Sequence, residues 1–222
     1  MSQANRQRND SPKTIRRFYA FTLTPAARAS VSGAMEKLKS VIDSAQIRWT
    51  NPADLHITAL FLGDFPPDKL SLFIKAGEAA SANCSSFPMS IGRFGCFPES
   101  PCLTPDATPV RVVWIGGMEP PERPASQIAV KLRENLMGIQ LDLKPFKAHI
   151  TLGYVKERAN HADIRKAIIH LPQPDCGQMP VESLSLMQTV PQSLRNNNSD
   201  GVSNSKIAMR RYNVVQTFPL AR

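Results

Sequence analysis

Leu55-His56-Ile57-Thr58-Ala59-Leu60-Phe61-Leu62-Gly63 and Ala148-His149-Ile150-Thr151-Leu152-Gly153-Tyr154-Val155 are the two stretches from which the rest of the chain is read. Each is an apolar, β-favouring run that carries a histidine and, two residues on, a threonine. Side chains at i and i+2 of a strand point to one face. Each run therefore presents an imidazole and a hydroxyl side by side from a rigid element. The chain has four histidines, and two of them stand in this setting. Composition alone would put Ser or Thr two residues after a given histidine about one time in ten. The repetition therefore argues for function rather than for two half-buried strand histidines.

The elements around the motifs repeat as well. Residues 17–23 read as a strand, and Pro25 opens a helix over 25–42 with Val31, Met35, Leu38 and Ile42 at helical spacing. A short strand at 47–49 and the turn Asn51-Pro52 lead into the first histidine strand, 55–61. A helix from Pro66-Pro67 to about 82, a strand at 87–93 and a proline-rich loop over 94–109 follow. The order then recurs: a strand at 110–116, a helix over 122–137, a short strand near 139–143 and the second histidine strand, 149–155. His56 follows Phe18 by 38 residues and His149 follows Val112 by 37. This is the pattern of a duplicated unit. A helix at 160–169 capped by Asn160, and strands at 181–188 and 207–218 around a polar loop, 191–205, complete the chain.

The expected fold is α+β: a bilobal duplicated domain over 17–222, with two mixed or antiparallel sheets flanked by helices. A central cleft between the lobes would bring the two motifs together. Residues 1–16 are expected to be a disordered basic tail. Residues 1–17 supply +4 of the net charge of +9, so charge by itself is a weak pointer to a polyanionic partner. No apolar run has the length of a membrane span, and the N-terminus lacks the apolar segment of a signal peptide. The expectation is a cytoplasmic monomer with no membrane partner. Cys84, Cys96, Cys102 and Cys176 show no C-x-x-C or zinc-ligand spacing and read as free thiols.

Two imidazoles on opposite sides of a phosphorus atom form a complete acid–base pair for phosphoester cleavage, one activating water and the other protonating the leaving oxygen. The hydroxyls of Thr58 and Thr151 would donate hydrogen bonds to the non-bridging oxygens, where charge grows in the transition state. Neither motif adds the third ligand of a catalytic zinc, the carboxylates are too few for a two-metal site, and there is no G-x-S-x-G elbow. The reading is chemistry without a metal or other cofactor.

The paired H-x-T motifs, Arg48-Trp49, Asp54-Leu55-His56 and Phe61-Leu62-Gly63 resemble the 2H phosphoesterase superfamily, and within it the RNA 2′,3′-cyclic phosphodiesterases, or 2′-5′ RNA ligase-like proteins. The resemblance runs from about Phe18 to Leu220. It implies a bilobal α+β fold and metal-independent hydrolysis of RNA 2′,3′-cyclic phosphate ends to 2′-phosphates, with 2′-5′ ligation as the reverse reaction. It also implies that His56, Thr58, His149 and Thr151 line the site. Which histidine is base and which acid does not follow from the sequence; the order taken as the working expectation is His149 as base and His56 as acid. The chain departs from the family at Ala148, where proline is usual, and at Tyr154, where close members carry a phosphate-binding arginine.

Tyr154, as a stacking surface, and Lys156, as a phosphate contact, are the further substrate-binding candidates; Arg158 and Lys147 are also near. In a regular strand Tyr154 would face away from His149. Phe61, five residues after His56, is by the same alternation expected in the core. Trp49 fits a base platform as well as a core anchor. Arg48, Arg93 and Arg111 are candidate phosphate or base contacts. Two other functions fit the same residues: an RNA- or nucleotide-binding module with little turnover, and a phosphodiesterase acting on linear 2′-5′ or 3′-5′ oligonucleotides.

Overall fold

The computed structural model describes residues 14–99, 108–141, 144–190 and 211–221. Most of the expected tail, much of the 94–109 loop, part of the short strand near 139–143 and the 191–205 loop lie outside them.

Among the described residues nine strands and four α-helices form an α+β fold. The strands are β1 (Ile15–Thr22), β2 (Ile47–Trp49), β3 (His56–Phe65), β4 (Phe87–Phe97), β5 (Val112–Met118), β6 (His149–Val155), β7 (Asp175–Val181), β8 (Ser183–Thr189) and β9 (Tyr212–Pro219). The helices are α1 (Pro25–Lys39), α2 (Leu70–Ser81), α3 (Pro124–Asn135) and α4 (His161–His170). Local chemistry sets their ends. Thr24 caps α1 through the Ala27 amide, with Pro25 in the first turn, and Asn160 caps α4 through the Asp163 amide. The buried face of α1 is Val31, Met35 and Leu38.

The strand order is β7-β4-β5-β6-β3-β1-β8-β9, with β2 alongside β6, and every strand pair is antiparallel. Two four-stranded halves, β3-β1-β8-β9 and β6-β5-β4-β7, meet where β3 touches β6 through the pair Ile57↔Ile150. The duplication is interlocked. β4 follows the first motif in sequence but pairs with β5 of the second half. β8 follows the second motif but pairs with β1 of the first. β2 likewise crosses to pair with β6.

One face of the curled sheet carries the main core. There Tyr19, Phe21, Ile57, Ile115, Ile150 and Leu152 are buried against the helices. The opposite face carries a small cluster of Phe18, Ala20 and Met187 beside Tyr212, and there the cleft opens.

Two differences from the expected elements have plain causes. The folded domain starts earlier than residue 17: Ile15 and Arg16 already pair with Phe65 and Asp64, and Arg17 is buried with its guanidinium donating to the carbonyls of Phe65 and Pro66. β7 has no counterpart in the expected elements, because a polar segment interrupted by Gly177 and Pro180 lacks strand alternation. It lies at the sheet edge, where proline is tolerated.

Candidate active site

Alternation along β3 and β6 places Ile57 and Ile150 in the core and His56, Thr58, His149 and Thr151 on the cleft face. The antiparallel pair Ile57↔Ile150 directs His56 toward Thr151 and His149 toward Thr58 across the seam. The two imidazoles are held in the same way. His56 Nδ1 lies 2.6 Å from the carbonyl oxygen of Asp54, and His149 Nδ1 lies 2.7 Å from that of Lys147. A carbonyl only accepts, so each Nδ1 carries the hydrogen and each neutral ring offers its Nε2 lone pair to the cleft.

A second shared feature changes the reading of both strands. In the β1–β3 ladder Tyr19 pairs with Leu60 and Ala20 with Thr58, so Ala59 is an extra residue. In the β5–β6 ladder Val113 pairs with Gly153 and Trp114 with Thr151, so Leu152 is extra. Each is a β-bulge three residues after the histidine, and each resets the alternation. Phe61 and Tyr154, five residues after their histidines, are thereby turned onto the cleft face. The core position expected for Phe61 is corrected: it is 54% exposed and lines the cleft. Tyr154, 39% exposed, lines the opposite side. Gly153 lets β2 lie close against β6, because a Cβ there would meet Ile47 Cγ2 at 2.5 Å.

The cleft has a volume of about 440 Å³. Among the described residues its cationic lining is Arg48 and Arg211. Arg48 faces Tyr154 across the β2–β6 ladder, its guanidinium carbon 4.8 Å from the ring centre. The backbone amide of Arg211 donates to both carboxylate oxygens of the buried Asp54, at 2.9 and 3.1 Å. Tyr212 then packs edge-on against His56 at 5.5 Å, while Phe18 stacks on the other side at 4.9 Å.

Burial lowers the pKa of both histidines. His56 is pushed down to about 4, chiefly by loss of solvation; the bond to Asp54 opposes this, and the charges of His149 and Arg28 add to it. His149 is also lowered, chiefly by burial; the bond to the Lys147 carbonyl opposes this, the Lys147 charge adds to the lowering, and Glu99 opposes it. Among the described residues no three His, Cys, Asp or Glu side chains gather as metal ligands.

A family model described as LigT like Phosphoesterase matches residues 22–102, a span that holds the first motif. RNA 2′,3′-cyclic phosphodiesterases of Methanothermobacter thermautotrophicus and Archaeoglobus fulgidus are 28% and 29% identical to the chain; each comparison covers 79% of this chain, and 90% and 92% of those proteins. A solved structure from Thermus thermophilus matches over 92% of this chain and 97% of its own, with a TM-score of 0.67 at 25% identity. E. coli LigT complexed with 3′-AMP has the same fold, with a TM-score of 0.65 at 21% identity over 94% of this chain and 99% of its own. The chain is thus similar to LigT-like phosphoesterases in sequence and in fold.

The fold gathers five of the six residues read as catalytic or as the leading substrate contacts: His56, Thr58, His149, Thr151 and Tyr154. Lys156 is not among the cleft-lining residues; β6 ends at Val155, and the exposed Lys156 is held through its amide to the Gln46 carbonyl. Trp49 and Arg48 line the cleft, whereas Arg93 and Arg111 do not. Arg211 and Tyr212 went unrecognised, because they begin a late edge strand and carry no motif or periodicity. The one available signal was the family-like closing strand from Tyr212 to Leu220, which points to fold rather than to a site.

Proposed function

We propose that this phosphoesterase hydrolyses the 2′,3′-cyclic phosphate of an RNA end to a 2′-phosphate, with His56 and His149 as the acid–base pair. The observation that carries the reading is the matched tethering of both rings: each Nδ1–H is tied to the carbonyl two residues earlier, so each Nε2 addresses the same cleft. The name shared by the archaeal relatives supports the substrate class.

In the proposed reaction one neutral imidazole takes a proton from water as the water oxygen bonds to phosphorus. The bond to the 3′-oxygen breaks, and the second imidazole, protonated, gives that oxygen its proton. Thr58 and Thr151 donate to the non-bridging oxygens. With a 5′-hydroxyl in place of water as the nucleophile, the same path forms a 2′-5′ phosphodiester as the 3′-oxygen leaves, which is 2′-5′ ligation. Every proton is carried by these side chains, so the proposed step is metal-independent. The domain that performs it spans the described part of 17–222, with β1 extending it to Ile15.

The working expectation from sequence makes His149 the base. Burial favours the other order, since His56 is the harder ring to protonate. A bound phosphate anion raises both rings, and the apparent pKa values then belong to the pair.

The test is hydrolysis of a short RNA ending in 2′,3′-cyclic phosphate, with EDTA present, by wild type, His56→Ala and His149→Ala. Formation of the 2′-phosphate, lowered at least about a hundredfold by each substitution, supports the reading. Binding without turnover by wild type replaces it with a nucleotide-binding module. Activity that survives both alanines, or that EDTA abolishes, refutes it.

A further inference from the structure

We propose that Arg211 is a substrate-binding residue that takes a second phosphate of the RNA, the one preceding the reacting end. This inference rests on the cyclic phosphodiesterase reading above. Three observations on one stretch of chain lead to it.

The backbone at Arg211 is fixed to the catalytic wall. Its amide is bound by the Asp54 carboxylate at 2.9 and 3.1 Å, and the Asp54 carbonyl in turn holds His56 Nδ1 at 2.6 Å. The next residue, Tyr212, rests its ring against His56. Arg211 thus starts from a point tied to the stem of His56, beside edge strand β9, and its side chain lines the cleft.

The guanidinium has little to hold it. It lies over the Tyr212 ring at 5.8 Å, and among the described residues it forms no ion pair. Its Nε is buried without a hydrogen-bond partner. A buried N–H left without an acceptor costs free energy comparable to a lost hydrogen bond. A phosphate oxygen in the cleft would satisfy it, and the planar fork of arginine matches a phosphate with two parallel bonds.

The reacting phosphate is already met by two imidazoles and two hydroxyls from the seam between β3 and β6. Arg211 lines the same cleft from a point anchored to Asp54 next to Tyr212, outside the two strands that carry that quartet. Arg48, the other cleft cation, lies against Tyr154 on the opposite wall. A cation at the margin of the His56 wall fits the next anionic group of a strand. The preferred substrate is then an oligonucleotide rather than a lone nucleoside cyclic phosphate.

The experiment compares wild type, Arg211→Ala and Arg211→Lys on two substrates: a nucleoside 2′,3′-cyclic phosphate, and a dinucleotide with the same cyclic end and one internal phosphate. The alanine variant keeps the backbone amide that Asp54 binds, so the anchor survives, and thermal unfolding checks that it does. Wild type is expected to favour the dinucleotide in kcat/KM by about tenfold or more, the scale of one charge-assisted phosphate contact. Arg211→Ala is expected to bring that ratio close to one, mostly through KM, and Arg211→Lys to restore part of it, because lysine keeps the charge without the fork. A loss of equal size on both substrates overturns the proposal and puts Arg211 on the reacting phosphate or in the fold. An undiminished preference overturns it as well. Binding of the dinucleotide 2′-phosphate product is measured in parallel and needs no turnover. Weakening by about tenfold in Arg211→Ala supports the second-phosphate contact, and unchanged affinity refutes it. Absence of turnover by wild type on both substrates, with that weakening intact, counts against the cyclic phosphodiesterase reading alone.

Discussion

On the first wall of the cleft His56 lies between Phe18, stacked at 4.9 Å, and the edge of Tyr212 at 5.5 Å; on the second, His149 meets Phe97 edge-on at 4.9 Å, with Trp114 at 6.3 Å. Behind His149 the Lys147 ammonium sits 4.9 Å from the Trp114 ring and pairs with Glu99. The backbone plan is the same on both walls: ring tied two residues back, hydroxyl two residues on, bulge at the third, aromatic at the fifth. The surroundings are different. Both imidazoles pack against two aromatic rings, but His149 also has the Lys147–Glu99 ion pair behind it. Duplication supplies two equivalent side chains, and the packing around them makes them chemically unequal, as an acid–base pair requires.

The strongest test of that inequality removes each ring in turn. His56→Ala and His149→Ala are each expected to lower kcat on the cyclic RNA end by about 10²- to 10⁴-fold. An activated aryl phosphodiester separates the two, because its leaving group departs without protonation. The variant that has lost the acid regains at least about tenfold on that substrate, and the variant that has lost the base does not. Rescue of His56→Ala supports His56 as the acid, the order expected from sequence; rescue of His149→Ala supports the order that burial favours. Rescue of both, or of neither, breaks the division of labour.

The hydroxyls come next. Thr58→Val and Thr151→Val keep the β-branched shape that suits the strand and remove only the donor. Each is expected to lower kcat by about a hundredfold with little change in KM, since the bond matters most as charge develops on the phosphate oxygens. Equal effects would mean that the seam presents both hydroxyls equivalently. An effect confined to one would carry the inequality of the walls beyond the histidines.

Stability against acid reads the same contrast without substrate. His56 is neutral in the fold down to about pH 4, whereas in the unfolded chain it takes up a proton near its ordinary value of 6.5. The unfolded state therefore binds the extra proton first, and the folded state loses stability as pH falls through this window. The loss is expected to be about 2–3 kcal/mol between pH 7.5 and 4.5. Denaturant midpoints at the two pH values, compared with those of His56→Gln, check it. The variant should lose less by about that amount. His149 acts in the same direction, and its contribution stays in the variant. Equal losses in the two proteins would mean that His56 is solvated.

The histidine strands, the helices and the duplicated order were legible because each rests on local periodicity. β6 spans Val155 back to His149, the bounds the alternation predicts. The site's quartet was legible for the same reason, since i and i+2 share a face whatever the partner strands do. What was not legible depends on the partner. Whether Ala59 and Leu152 pair or bulge is decided by β1 and β5, and that choice alone moves Phe61 and Tyr154 from the core face to the cleft. The exchange of β4 and β8 between halves is likewise a matter of tertiary pairing. Arg211 enters the site through an amide bound to Asp54, 157 residues away, which leaves no trace in side-chain pattern.

The smallest effects belong to those two re-aimed aromatics, and they sharpen the comparison at its outer edge. Phe61 stands with Phe18, ring centres 6.0 Å apart, and Tyr154 carries Arg48 over its ring. If both are platforms for bases, truncation costs about 1–3 kcal/mol for each base stacked. A nucleoside cyclic phosphate has one base and a dinucleotide has two. Phe61→Ala and Tyr154→Ala should therefore raise KM unequally on the first substrate, with one of them near wild type, and both should raise it on the second. Tyr154→Phe keeps the ring under Arg48 and should change KM by less than about twofold. Stability separates this reading from plain packing. Both rings are substantially exposed, so either alanine should cost less than about 1 kcal/mol, against the roughly 3–5 kcal/mol typical of a buried phenylalanine. A large loss of stability with unchanged KM would make the bulges devices of packing. A rise in KM at constant stability would make them what brings a strand residue that belongs in the core to the substrate.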